Sequence, residues 1–104
     1  MSLTIAAQLD AIDAMADELA GLATELVAEA DLCRSTAVSL GAAVTGEVGH
    51  RAGAAGTGWG TLIDLVAQRT GALAATLHQA VDSYRLADAA LSDRLLLCRV
   101  TATR

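Results

Sequence analysis

From residue 5 to residue 44 apolar side chains recur at alternating spacings of four and three, through Ile5, Leu9, Ile12, Ala16, Leu19, Ala23, Leu26, Ala30, Cys33, Ala37, Leu40 and Val44. That rhythm is the heptad of packed helices, not the two-residue alternation of a strand. One column of this seam is bulky (Ile5, Ile12, Leu19, Leu26, Cys33, Leu40) and the other is mostly alanine, so a facing helix can approach closely along the small column. Thr4 stands where an N-cap hydroxyl would.

A second seam follows, through Trp59, Ile63, Val66, Thr70, Leu73, Leu77, Ala80, Tyr84, Ala87 and Leu91, and it weakens at Arg94 and Cys98. Thr61 with Asp64 three residues on is the pattern of a capping box. Between the seams, residues 46–60 read GEVGHRAGAAGTGWG and hold six of the nine glycines and the only tryptophan. Glycine costs roughly 1 kcal/mol relative to alanine inside a helix, so this stretch is expected to be a hinge, with Gly58, Trp59 and Gly60 locking it. The expected fold is all-α: a single domain across 1–104, with a helix over about 4–44, a hinge over 46–60 and a helix over about 61–100. The two helices fold back as an antiparallel helical hairpin.

Composition agrees. Proline and phenylalanine are absent and aromatics make up 2% of the chain, so the core must be aliphatic and the helices uninterrupted. Met15, Leu22, Leu62, Leu65, Leu86 and Leu95 lie off both seams and would remain in water in a lone hairpin. They are expected to form a dimer surface through which two hairpins make a four-helix bundle, as a homodimer or as a heterodimer with a related small helical protein. In such a hairpin Cys33 and Cys98 lie far apart along the axis, so they are expected to be seam hydrophobes, with a Cys98 cross-link between chains as the alternative.

The uncharged runs 35–46, 52–63 and 70–81 are each twelve residues, whereas a membrane span needs about 20, so no integral membrane span is expected. The start, with no positive charge before Asp10, does not read as a signal peptide. Up to Val44 seven carboxylates stand against Arg34 alone, and from Thr45 on five acidic residues meet six arginines. An acidic chain with no lysine argues against nucleic acid as a partner. The acidic half is a solvated helix face, or it meets a basic partner surface.

Catalytic chemistry is poorly represented. Glu47 and His50 spell one Glu-x-x-His, but a di-metal bundle needs two such motifs on helices and further carboxylates. His78 has no Cys or His within four positions and reads as a half-exposed helix residue, and the pairs Asp13/Asp17 and Glu25/Glu29 read as solvation. Hence no metal, no cofactor and no catalytic residue is expected, and the chain does not read as an enzyme. Tyr84 and Asp88 fall one helical turn apart and could present a phenol and a carboxylate together. Spacing alone reads them as a core tyrosine and a solvated aspartate.

A helical hairpin of this length with Trp59-Gly60 at its hinge and Tyr84-x-x-x-Asp88 in its second helix resembles the WXG/ESX superfamily of type VII secretion substrates. Gly60 follows Trp59 directly, so the Trp-X-Gly pattern is not met. The run Tyr84-Arg85-Leu86-Ala87-Asp88-Ala89-Ala90 looks most like the mycobacterial EspC-like branch, where that pattern is not required. The resemblance implies export as a folded dimer by a route independent of a signal peptide, from the cytoplasm to the outside. It also implies that Tyr84 and Asp88 form the secretion signal read by the type VII secretion ATPase. A reading from another class is a cytosolic coiled-coil adaptor or chaperone that is never exported.

Overall fold

The computed structural model describes residues 3–102; Met1 and Ser2, part of the start read above, and residues 103 and 104 lie outside them. Two helices, α1 (Leu3–Ala43) and α2 (Glu47–Ala102), pack side by side as an antiparallel hairpin. Among the described residues there is no strand. The result is a ribbon two helices wide, with extents of 88 × 17 × 12 Å. No described helix is long and apolar enough to cross a membrane.

The turn is far shorter than the expected hinge. Only Val44, Thr45 and Gly46 separate the helices. Gly46 reverses the chain with φ of 87°, a left-handed conformation that glycine adopts without a Cβ clash. Its carbonyl accepts from the His50 amide at 3.1 Å, which starts α2 at once. The remaining glycines of the expected hinge are helical, and three of them stand where the turn or α1 leaves little room for a side chain. A Cβ at Gly49 would overlap the Val44 carbonyl, one at Gly56 would sit 2.7 Å from the Ala37 Cβ, and one at Gly60 would sit 3.2 Å from the Ala30 carbonyl oxygen. Tertiary contact here overrides a poor helix propensity. Thr61 is therefore no cap: it lies inside α2, and its hydroxyl donates to the Thr57 carbonyl one turn back. Thr4 likewise lies within α1, which begins at Leu3.

The core is a line of small residues. On α1 the buried column is Leu9, Ala16, Ala23, Ala30 and Ala37, spaced by seven, with Ala16 and Ala30 fully covered. The small column of the first seam is thus the one that meets α2. On α2 the buried residues are Gly49 beside the turn and, farther along, Gly60, Ala67, Ala74 and Val81. This corrects half of the second seam. Ile63, Thr70 and Leu77 are half-buried as expected, but Trp59, Val66 and Leu73 face water, and the residue after each takes the inner place. The physical reason is the close approach: bulky side chains do not fit between helices whose facing surfaces are alanine and glycine.

The glycines of α2 can be told apart by substitution. Gly58 has open space around it, so Gly58→Ala should raise unfolding stability by about 0.5–1 kcal/mol through helix propensity. Gly56→Ala should lower the urea midpoint instead, because its methyl meets Ala37. Ala30→Leu, which forces a large side chain into the seam, should cost about 1–3 kcal/mol or unfold the hairpin.

Candidate interaction surface

The two sides of the seam differ sharply, and the spacing from the buried column decides which residue goes where. Three residues after each buried position lie Ile12, Leu19, Leu26, Cys33 and Leu40 on α1, and Ile63, Thr70, Leu77, Tyr84 and Leu91 on α2. None is charged. Four residues after lie Asp13, Ala20, Val27, Arg34 and Gly41 on α1, and Asp64, Gly71, His78 and Arg85 on α2, so the acidic and basic residues of the two shoulders all fall here. A helix puts positions three and four beyond a reference on its opposite shoulders. In an antiparallel pair like shoulders meet, so the hairpin has one apolar flank and one charged flank.

The charged flank is internally matched. Arg34 bridges Asp31 on its own helix and Asp64 on α2. Arg85 reaches back to Asp10 at 2.6 Å and to Asp13 at 3.3 Å. His78 is half-exposed on α2, as its local sequence indicates, and is also paired: its Nδ1 lies 2.6 Å from Asp13 and its Nε2 3.1 Å from Asp17. Carboxylates facing both ring nitrogens favour the imidazolium, which donates from each. The bond to Asp13 raises the His78 pKa above its ordinary 6.5, outweighing partial burial, with the charges of Asp13, Asp17 and Asp82 adding to it. The same bond from His78, with a weaker one from Arg85, holds Asp13 below its ordinary 3.8.

Among the described residues, none covers the apolar flank. Its middle is a pocket of about 430 Å³ lined by Leu26, Trp59, Leu62, Ile63 and Val66, with Trp59 62% exposed. Trp59 therefore does not lock the turn, which lies more than three helical turns away at Gly46. Gly58 faces open space, and Gly60 packs against Ala30 and Arg34. Toward the open end of the hairpin, Ile5, Leu9, Ala87 and Leu91 line a groove together with Tyr84 and Asp88. Tyr84 is 68% exposed and Asp88 half-buried, the reverse of what spacing alone indicates. Tyr84 and Asp88 thus share one groove, one turn apart.

The six expected dimer residues do not form one patch. Met15 and Leu22 share a groove on the apolar side of α1 with Leu19, walled by Glu18 and Glu25, and Leu62 lines the Trp59 pocket. Leu65 and Leu86 each lie five residues past a buried position, which puts them on the back of α2. Leu95 continues the inner column of α2 into a stretch that α1 does not reach. Ile5 and Leu91 share a groove between the helices, so residues 94–102 extend beyond Leu3, the first described residue of α1, by roughly 13 Å at 1.5 Å per residue. Reading each seam by its smallest residues, Gly60-Ala67-Ala74-Val81, would have moved Trp59, Val66 and Leu73 to the surface list.

Polar chemistry is sparse elsewhere. Glu47 pairs with Arg51 in the first turns of α2. Among the described residues no group of three or more His, Cys, Asp and Glu could hold a metal ion. Cys33 and Cys98 are free thiols. Beside the turn a trough of about 710 Å³ runs past Gly41, Gly53 and Gly58, where side chains are lacking, and His50 is the one ionisable side chain that lines it. No family model matches the chain, and no curated protein or solved structure matches it either.

The His78 clasp gives a pH signature. A raised histidine pKa contributes stability that is complete below 6.5 and lost as pH rises through the raised value. A lowered Asp13 pKa contributes stability present above 3.8 and lost as pH falls through the lowered value. The clasp is therefore strongest between those two limits. Melting temperature should fall from pH 5.5 to pH 8 by more in the wild type than in His78→Gln, measured by circular dichroism at constant ionic strength.

Proposed function

We propose that this chain is a type VII secretion substrate or a secretion-associated protein that acts through protein–protein contact rather than catalysis. Tyr84 and Asp88 form its export signal, read by the secretion ATPase, and the hairpin travels from the cytoplasm to the outside as a helical dimer. The observation that supports this most is the groove at the open end of the hairpin. There a phenol and a carboxylate one turn apart sit among Ile5, Leu9 and Leu91, so a partner could read an aromatic ring and an anion on an apolar floor. The uncovered apolar flank beside it supports the dimer.

The same flank suits a cytosolic adaptor or chaperone that packs against another helical protein and stays inside. Export separates the two readings. In a host carrying a type VII system, with the chain's genetic neighbours co-expressed, tagged wild type should accumulate in the culture filtrate. Asp88→Ala and Tyr84→Ala should bring the filtrate to background at equal cellular levels. Retention of the wild type inside the cell would overturn the secretion reading in favour of the adaptor. Undiminished export of both variants would overturn the assignment of the signal.

A further inference from the structure

Asp88 stands where the packing pattern of α2 calls for a small apolar residue. The inner column runs Gly60, Ala67, Ala74 and Val81, seven apart, and its next position is this carboxylate, half-buried. The register shows why a charge is tolerated there. His78 meets Asp13 and Arg85 meets Asp10, so the antiparallel pairing carries Asp88 toward Ile5, with which it shares a groove. Ile5 belongs to the first turn of α1, which begins at Leu3 and has no carboxylate of its own. The amides of a first helical turn lack intrahelical acceptors and form the positive end of the helix dipole, so an anion supplied from α2 is favourable beside them.

The groove is therefore built from both ends of the sequence. Ile5 and Leu9 come from α1, and Tyr84, Ala87, Asp88 and Leu91 from α2, with Ile5 and Asp88 more than eighty positions apart. Its volume of about 310 Å³ lies at the lower end of the range for ligand sites, and suits a few side chains rather than a helix about 10 Å across. Asp88 is the one charged residue that lines it. Arg85, next to Tyr84 in sequence, belongs to the other flank, where Asp10 and Asp13 hold it. The occupant of complementary chemistry is a peptide segment that sets an apolar side chain on Ile5, Leu9 and Leu91 and a guanidinium or ammonium group at Asp88. An acidic segment or a wholly apolar one lacks half of that match.

We propose that the recognition element at the open end of the hairpin is composite: the first two turns of α1 position Tyr84 and Asp88 and share the apolar floor with Leu91, and a basic and apolar peptide segment of a partner reads the assembled groove rather than the sequence from Tyr84 to Asp88. That the partner is the secretion ATPase rests on the secretion reading; the composite groove does not. Ile5 and Leu9 thus act on recognition although they lie outside the Tyr84-x-x-x-Asp88 spacing. A change at the start of α1 silences the signal with α2 untouched.

The full chain holds one tyrosine, so the Tyr84 ring is read without ambiguity by NMR. Acetyl-Leu-Leu-Arg-amide, titrated to millimolar concentration, should shift the resonances of that ring and of the Ile5 and Leu9 methyls, and acetyl-Leu-Leu-Glu-amide should not. In Ile5→Arg a guanidinium from α1 takes the place beside Asp88, and the dissociation constant should rise at least about tenfold. Ile5→Leu should bind as the wild type does, and so should Ala7→Arg, which adds the same charge to the opposite face of α1. Helicity is matched by circular dichroism; where Ile5→Arg falls short, Ile5→Gln, which removes the apolar floor without adding charge, carries the comparison. In the export assay Ile5→Arg should fall to background with Ala7→Arg unaffected. Absence of shifts, equal shifts by both peptides, or equal affinity in wild type and Ile5→Arg would overturn the composite groove. So would full export of Ile5→Arg beside an unexported Asp88→Ala, because a linear signal then suffices. Retention of the wild type in the cell, with peptide binding that depends on Ile5, counts against the secretion reading alone.

Discussion

Everything in this hairpin depends on how closely its two helices approach. Alanine repeated every seventh residue on α1 meets glycine, alanine and Val81 on α2, and Val81 is the largest side chain that is fully covered. Backbone proximity of this kind gives good dispersion contact per atom but removes little apolar area from water, since hydrophobic stabilisation scales with that area at about 25 cal/mol per Å². The bulky residues, which carry most of the available area, are displaced to the shoulder of the seam. The same choice that makes the seam tight therefore leaves the molecule with a thin core and a rich surface. That is the balance expected of a chain that completes its burial with another helical surface.

The charged flank plays the opposite part. Its pairs are half-exposed, and ion pairs of that kind add little net stability. Their value lies in selection. Asp10, Asp13 and Asp17 meet His78 and Arg85 near one end, and Arg34 meets Asp64 nearer the other. A slip of one heptad would part both sets at once. The uneven charge of the two halves of the chain thus acquires a local meaning: part of the acidic excess of α1 is matched by cations on α2, and the flank where they meet is closed to further apolar contact.

Much of the fold was legible because the heptad on α1 is unbroken from Leu9 to Ala37, and no strand pattern competes with it. The hairpin and the small column of its first helix could be read directly. The glycine-rich stretch misled because helix propensity is a local quantity, while Gly56 and Gly60 are required by α1, which contributes from elsewhere in the chain. The second seam was misplaced by one residue for a related reason: choosing the largest side chains suits an ordinary coiled coil and fails where the facing column is alanine. At the surface, spacing placed Tyr84 and Asp88 one turn apart but misread the burial of both, and their groove depends on Ile5 and Leu9 arriving from the other end of the sequence. His78 was missed because its partners, Asp13 and Asp17, are more than sixty positions away.

The glycine content of the first turns of α2 also sets where the molecule yields. Between residues 47 and 60 five glycines stand in helical conformation, each unfavourable by roughly 1 kcal/mol against alanine, so this stretch is helical only while α1 backs it. Local opening there costs less than at Ala67 or Ala74, where propensity and packing agree. The hairpin is consequently graded along its axis, with its closed tip as a separate, weaker cooperative unit. Amide exchange would be faster beside the turn than midway along the ribbon, so the tip can reshape without the middle unfolding.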